Sequence, residues 1–162
     1  SIVSDAVAQV IGQGEFNHGY TYSSHPVAAA VALENLRILQ EEHIIDTVRT
    51  EVAPYLSGKW RALADHPLVG EASVIGMMGS LALTPHKESR AKFAADPGTI
   101  GYMCREHCFA NNLVMRHVYD RMIISPPLVI SKDEIDQLIS RATKALDATY
   151  AQAKAEGLLK VG

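Results

Sequence analysis

Phe16-Asn17-His18-Gly19-Tyr20-Thr21-Tyr22-Ser23-Ser24-His25-Pro26 is a polar, glycine-containing turn set directly before an apolar run, Val27 to Leu33. Pro26 suits the first turn of a helix, where a missing N–H is no loss. Val27 to Leu39 then continues as a helix whose first half is apolar almost all round, so the sequence predicts that this helix is buried. A turn in this position offers backbone N–H groups and hydroxyls at the positive end of a helix, which favours an anion such as a phosphate. Upstream, Ser1-Ile2-Val3-Ser4 reads as the end of a strand running into a short helix, Asp5 to Ile11, closed by Gly12.

Downstream, Ile44 to Leu63 repeats apolar residues at helical spacing with Pro54 inside, which predicts a kink or restart near Ala53. Trp60 and Tyr55 fall on the core side of that pattern. The period then changes. Leu68 to Leu83 reads as strands punctuated by Gly70, Gly76 and Gly79, with Met77 and Met78, like Met115 further on, as gap-filling core residues. Thr84 to Gly98, carrying Pro85 and Pro97, reads as a loop. Ile100 to Asn111 is a helix ending in Asn111-Asn112, residues suited to a left-handed cap. Leu113 to Met115 reads as an apolar strand running into Arg116, Asp120-Arg121 as a solvated turn, and Met122 to Ser125 as a strand stopped by Pro126-Pro127. Ser131 and Glu134 form a capping-box pattern ahead of a long amphipathic helix that runs to Gly157. Helices followed by strands alternating with helices give the class α/β.

The chain has 162 residues and a net charge of −3. A chain of this size buries roughly two thirds of its unfolded surface. It has no basic footprint for nucleic acid, and its longest apolar stretch is far too short for a membrane span. No export signature opens it, so the cytoplasm is the expected location. Cys104 and Cys108 lie one helical turn apart with His107 between them. A zinc site needs about four ligands and no second cluster follows, so the two are read as buried free thiols in a reducing compartment. His18 and His25 are likewise not assigned to a metal, and no metal site is expected.

Two residues stand out as candidates for chemistry. The Thr21 hydroxyl, beside the backbone loosened by Gly19, can give a phosphate two hydrogen bonds through its hydroxyl and an N–H. The residues alone favour a local turn in which Thr21, Ser23 or Ser24 merely caps the next helix. Arg116 presents a planar, permanently charged fork suited to a carboxylate. By itself it reads as an ordinary surface arginine at a strand end.

Phe16 to Pro26 resembles the F-x-H-G-x-T-Y-S-G-H-P-V segment of class III (ω-transaminase) pyridoxal-phosphate aminotransferases. Asn111-Asn112-Leu113-Val114-Met115-Arg116, followed by Ile124-Ser125-Pro126-Pro127-Leu128, resembles the same family's N-N-L-x-x-R and P-P-L pattern. The likeness covers nearly the whole chain, and within the family Phe16 to Pro26 and Cys104 to Leu128 look most like polyamine or putrescine–pyruvate aminotransferases. One departure is visible: Ser24 stands where most of the family has glycine.

The resemblance implies the C-terminal part of a fold-type I enzyme, with residues 1–40 as the end of the cofactor-binding large domain and its connecting helix, and residues 41–162 as the small α/β domain. It implies pyridoxal 5'-phosphate as cofactor, a primary amine and pyruvate as substrates, and a homodimer. Thr21 would bind the cofactor phosphate of the neighbouring subunit, and Tyr20 would line that active site. Arg116 would be the mobile arginine that pairs with the substrate carboxylate. The family holds its cofactor as a Schiff base on a lysine. Lys59, Lys87, Lys92, Lys132, Lys144, Lys154 and Lys160 all sit in polar helical, loop or tail settings, none resembling that motif. The catalytic lysine is therefore expected upstream of Ser1 and the isolated chain is expected to be inactive. Two alternatives stay open: an aminomutase or decarboxylase on the same fold, and a non-catalytic α/β interaction module.

Overall fold

The computed structural model describes residues 2–161, which fall into two compact units, Ser1–Leu39 and Gln40–Gly162.

The first unit holds α1 (Asp5–Ile11), closed by Gly12, whose N–H donates to the carbonyl of Ala8 at 2.9 Å. Ile2 to Ser4 do not form the expected strand end, and Ser1 lies outside the described residues. A strand is defined by its pairing partner, and Ile2 to Ser4 have none among the described residues. After a loop comes α2 (Pro26–Glu41), which opens at Pro26 as its sequence predicts. The expectation that this helix is buried is not met: Val27 and Val31 are each 64% exposed, and no residue of the helix is buried. Apolar composition prepares a helix for burial, but only a facing surface supplies it.

The second unit begins with α3 (Ile44–Thr47), passes through a π-helical turn (Val48–Val52) and resumes as α4 (Ala53–Ala62). Pro54 is the reason. It has no N–H to donate and its ring collides with the carbonyl one turn back, so the helix widens and restarts at the point the sequence indicates. β1 (Val69–Ile75) and β2 (Met78–Leu83) form a hairpin. The long loop after β2 leads to α5 (Thr99–Ala110), then β3 (Arg116–Val118), β4 (Arg121–Ile124) and α6 (Lys132–Ala155). Ser131 caps α6 with the full reciprocal box: its hydroxyl accepts the Glu134 N–H while the Glu134 carboxylate accepts the Ser131 N–H.

All four strands run antiparallel in the order β1-β2-β4-β3. Alternation sorts the side chains onto two faces. Leu81, Leu83, Met122 and Ile124 point to one face, where Leu56 and Trp60 of α4, Ile100 and Cys104 of α5, and Ile135 and Leu146 of α6 complete a single core. Trp60 is fully buried; its indole N–H donates to the carbonyl of Ser80 at 3.2 Å, and a Cβ on Gly79 would lie 2.9 Å from its ring. Only glycine admits that approach. Tyr55 is half-buried rather than core, with its hydroxyl donating to Asp136 of α6 at 2.9 Å. The opposite face carries polar groups: Arg90 reaches Glu71 at 3.2 Å and Arg121 donates to Ser80 Oγ at 2.9 Å. Arg121 is therefore a strand residue, not part of a solvated turn.

Candidate functional site

The turn from Phe16 to Pro26 is exposed throughout. Ser23 N–H donates to the carbonyl of Tyr20 at 2.9 Å, and the Tyr20 N–H donates back to Ser23 Oγ at 3.3 Å, closing a local loop around Thr21 and Tyr22. His18 stacks edge-on to Tyr20, with centroids 5.5 Å apart. Ser23 is thus spent on the turn itself and does not cap α2. Ser24 takes φ = 61°, a left-handed conformation that glycine adopts freely and serine only at a cost. This gives a physical meaning to the one position where the sequence departs from its family pattern. The Thr21 hydroxyl has no hydrogen-bond partner among the described residues. It and the ring of Tyr20, 76% exposed, are both available to something outside this unit.

In the second unit the cap of α5 sets the direction in which the chain leaves the helix. Asn112 is left-handed at φ = 55°, its N–H donates to the carbonyl of Phe109 at 3.0 Å, and Leu113 N–H donates to the carbonyl of Cys108 at 2.9 Å. That pair of bonds is the glycine-type helix stop built here on asparagine. Arg141 of α6 adds a bond to the Asn112 carbonyl at 2.8 Å. From there the chain alternates: Leu113 and Met115 are buried, while Val114 and Arg116 are exposed. Leu113 to Met115 are extended but not a strand; Arg116 begins β3 rather than ending a strand. The ladder is defined by pairing with β4, with Arg116 opposite Ile123 and Val118 opposite Arg121. The Arg116 guanidinium has no hydrogen-bond or ion-pair partner among the described residues and faces outward from an edge strand.

Asp120, read from sequence as part of a solvated turn, is instead engaged. Its carboxylate accepts the N–H of Gly98 at 3.1 Å and of Gly101 at 2.9 Å. The available signal was the pair of glycines, 98 and 101, flanking the start of α5. A cleft of about 580 Å³ lies beside this turn, walled by Phe93, Pro97, Val118 and Tyr119 with Arg90 and Arg121 at its sides; neither Arg116 nor the Thr21 turn lines it. Cys104 and Cys108 are buried and free. Contact with Cys104, and then burial, push the Cys108 thiol far above its ordinary range, so it is an inert core group. Among the described residues no group of His, Cys, Asp and Glu can hold a metal ion, and no helix is long and apolar enough to cross a membrane.

One family model, described as aminotransferase class-III, matches residues 1–146, a range that includes both the Thr21 turn and Arg116. The chain belongs to the class-III aminotransferases. It is 58% identical, over 93% of its length, to the putrescine–pyruvate aminotransferase of Pseudomonas aeruginosa, and 36% identical over 91% of its length to the chloroplastic gamma aminobutyrate transaminase 3 of Solanum lycopersicum. Among solved structures, the ω-transaminase of Pseudomonas jessenii in complex with PMP shares the fold with a TM-score of 0.78 and 32% identity over 91% of this chain. The chain spans 33%, 29% and 32% of the lengths of these three relatives. This class-III chain thus has the mixed helix-and-sheet fold of part of an ω-transaminase. Class-III aminotransferases are pyridoxal-phosphate enzymes.

Proposed function

We propose that this chain is the C-terminal part of a pyridoxal-phosphate-dependent aminotransferase that moves an amino group from a primary amine, putrescine or a related polyamine, to pyruvate. The observation that carries this reading is the 58% identity over 93% of the chain to a putrescine–pyruvate aminotransferase. In this reading residues 1–40 end the large domain and lead out of it, and residues 41–162 form the small domain. The lysine that carries the cofactor lies in the two thirds of the relatives' length that this chain does not span. The chain alone is then inactive. The cytoplasm suits its two buried free thiols.

The residues present fit the cofactor where they would meet it. Thr21 has a hydroxyl with no partner among the described residues, on an exposed turn whose backbone is already closed by Tyr20 and Ser23. In this reading Thr21 Oγ1 would donate to a phosphate oxygen and Tyr20 would offer an aromatic wall, both in the active site of a second subunit of a homodimer. When bound, pyridoxal phosphate supplies the electron sink into which the bond being broken at the amine carbon delivers its electrons.

Arg116 resolves a conflict of charge. One pocket must accept pyruvate, which has a carboxylate, and a donor amine, which has none. A guanidinium that forms two parallel N–H···O bonds to the carboxylate, and turns out to solvent when the amine enters, serves both. A fixed, buried guanidinium would be left unpaired by the amine at a cost of several kcal/mol. The free, outward position of Arg116 on an edge strand suits such a swing.

The gamma aminobutyrate transaminases at 33–36% identity set a second reading, a donor that carries its own carboxylate. Incubating the full-length protein with pyruvate and either putrescine or gamma-aminobutyrate, and following alanine formation, decides between them. Faster turnover with putrescine is expected. Turnover with gamma-aminobutyrate alone would replace the first reading with the second, and no alanine from either donor would remove both.

A further inference from the structure

The turn that joins β3 to β4 is fastened to the rest of the unit at three points. Asp120 Oδ1 accepts the N–H of Gly101 at 2.9 Å, Oδ2 accepts the N–H of Gly98 at 3.1 Å, and the Asp120 backbone carbonyl accepts the N–H of Leu83, at the end of β2, at 2.9 Å. Gly98 is the N-cap residue, just before α5, and it has no side chain to cap the helix. The first-turn N–H groups of a helix need acceptors, and a negative group there is favoured by the helix dipole. Asp120 supplies both from 19 and 22 residues away along the chain.

The fit is tight enough to be specific. A Cβ on Gly101 would lie 1.9 Å from the carbonyl oxygen of Tyr119, and one on Gly98 would lie 3.3 Å from the Tyr119 Cα. Helix and turn therefore meet backbone to backbone. Tyr119 is held left-handed at φ = 49° in the process. Each oxygen of Asp120 accepts one of these N–H groups, so the carboxylate serves the join between the turn and the start of α5.

β3 is only three residues long and lies at the sheet edge, paired on one side alone. A strand that short has little register of its own; what fixes Arg116 opposite Ile123 is the hairpin turn three residues further on. An arginine whose side chain swings needs a backbone that does not. We infer that Asp120 is a positioning residue for Arg116: by clamping the β3–β4 turn onto the start of α5, it sets the point from which the guanidinium reaches the substrate carboxylate. This rests on the reading of Arg116 given above. Loosening the clamp harms the carboxylate-bound arrangement, which needs two aligned hydrogen bonds, and leaves the swung-out arrangement nearly unaffected, since that needs none.

The test is a double-mutant cycle in the full-length enzyme, read separately in its pyruvate and amine half-reactions. Asp120→Ala is expected to raise the KM for pyruvate about tenfold while the amine half-reaction changes less than about twofold. In an Arg116→Ala background the same substitution is expected to add nothing, because the two residues act as one unit. Asp120→Asn keeps one acceptor oxygen and the shape of the side chain, and is expected to give a smaller shift of the same kind. If Asp120→Ala does not fold, Asp120→Asn carries the same cycle. Equal damage to both half-reactions, a loss of thermal stability with an unchanged KM for pyruvate, or full additivity with Arg116→Ala would overturn the inference while leaving Arg116 in its role. An Arg116→Ala enzyme with a normal pyruvate half-reaction would overturn the Arg116 reading, and this inference with it.

Discussion

The N–H of Leu113 donates to the carbonyl of Cys108 at 2.9 Å, and that bond decides which way Arg116 faces. It ends α5 in a left-handed residue, Asn112, and starts an extended segment in which Leu113 and Met115 enter the core. With two residues per repeat, Val114 and Arg116 must then point outward.

Asn112 is accordingly the position where backbone conformation, not side-chain contact, sets the geometry. Asn112→Gly is expected to be near neutral in thermal unfolding. Asn112→Val, forced into a left-handed conformation with a branched Cβ, is expected to lose about 1–2 kcal/mol or more. Equal stability of the two variants would mean that the cap does not hold the chain in this conformation.

Trp60 is the only tryptophan in the chain and is fully buried against Gly79. Its emission is expected to lie to the blue of free tryptophan and to move red in one step as the second unit unfolds. Gly79→Ala drives a methyl into the indole ring and is expected to cost about 1–3 kcal/mol, with a shifted emission in the folded state. Trp60→Ala is expected to cost about 3–5 kcal/mol. Denaturant titrations followed by fluorescence for the first variant, and by circular dichroism for both, give these values.

His66 makes stability depend on acid. Burial holds its imidazole below the ordinary value of 6.5, opposed only in part by Asp147 at 3.3 Å. Its Nδ1 accepts the Leu68 N–H at 3.1 Å, so a proton on Nδ1 breaks that bond. The unfolded chain takes up the proton at a higher pH than the folded chain does. Stability is therefore full above the unfolded value and falls as pH drops from there through the folded value. His66→Asn retains an acceptor for Leu68 and no titration. Melting temperature measured from about pH 8 down to about pH 5 is expected to fall less steeply in that variant than in the wild type. Parallel curves would exclude His66 as the source.

Thr21 is expected to contribute one charge-assisted hydrogen bond to the cofactor phosphate. Its loss in Thr21→Val is worth on the order of 1.5–3 kcal/mol, or roughly ten- to a hundredfold in cofactor affinity of the full-length apoenzyme. Titration with pyridoxal phosphate measures it, and unchanged affinity contradicts the assignment. Ser24→Gly, which relieves the left-handed serine beside it, is expected to leave that affinity intact.

What the sequence made legible was local. The capping box of Ser131 and Glu134, the restart at Ala53 before Pro54 and the left-handed stop at Asn112 each depend on residues within one or two turns of each other, so their residue types announce them. What it hid depended on partners far along the chain. The start of β3 at Arg116 is set by pairing with Ile123 and Arg121, not by the apolar run before it, and the engagement of Asp120 depends on glycines about twenty residues upstream. The exposure of α2 shows the converse, an apolar pattern whose covering surface is not written in the pattern. Residue type made Thr21 and Arg116 candidates, but only the family likeness raised them above the ordinary readings, a turn threonine and a surface arginine, that physical chemistry alone favours.

In the proposed function Arg116 pairs with the carboxylate of the amino acceptor and stands aside for the amine. Stopped-flow measurement of the two half-reactions in full-length Arg116→Ala tests it most directly. The KM for pyruvate is expected to rise on the order of a hundredfold, the loss of a desolvated carboxylate pair, with the amine half-reaction changed far less. Equal damage to both half-reactions would make Arg116 structural, and an unaltered pyruvate half-reaction would remove it from the site.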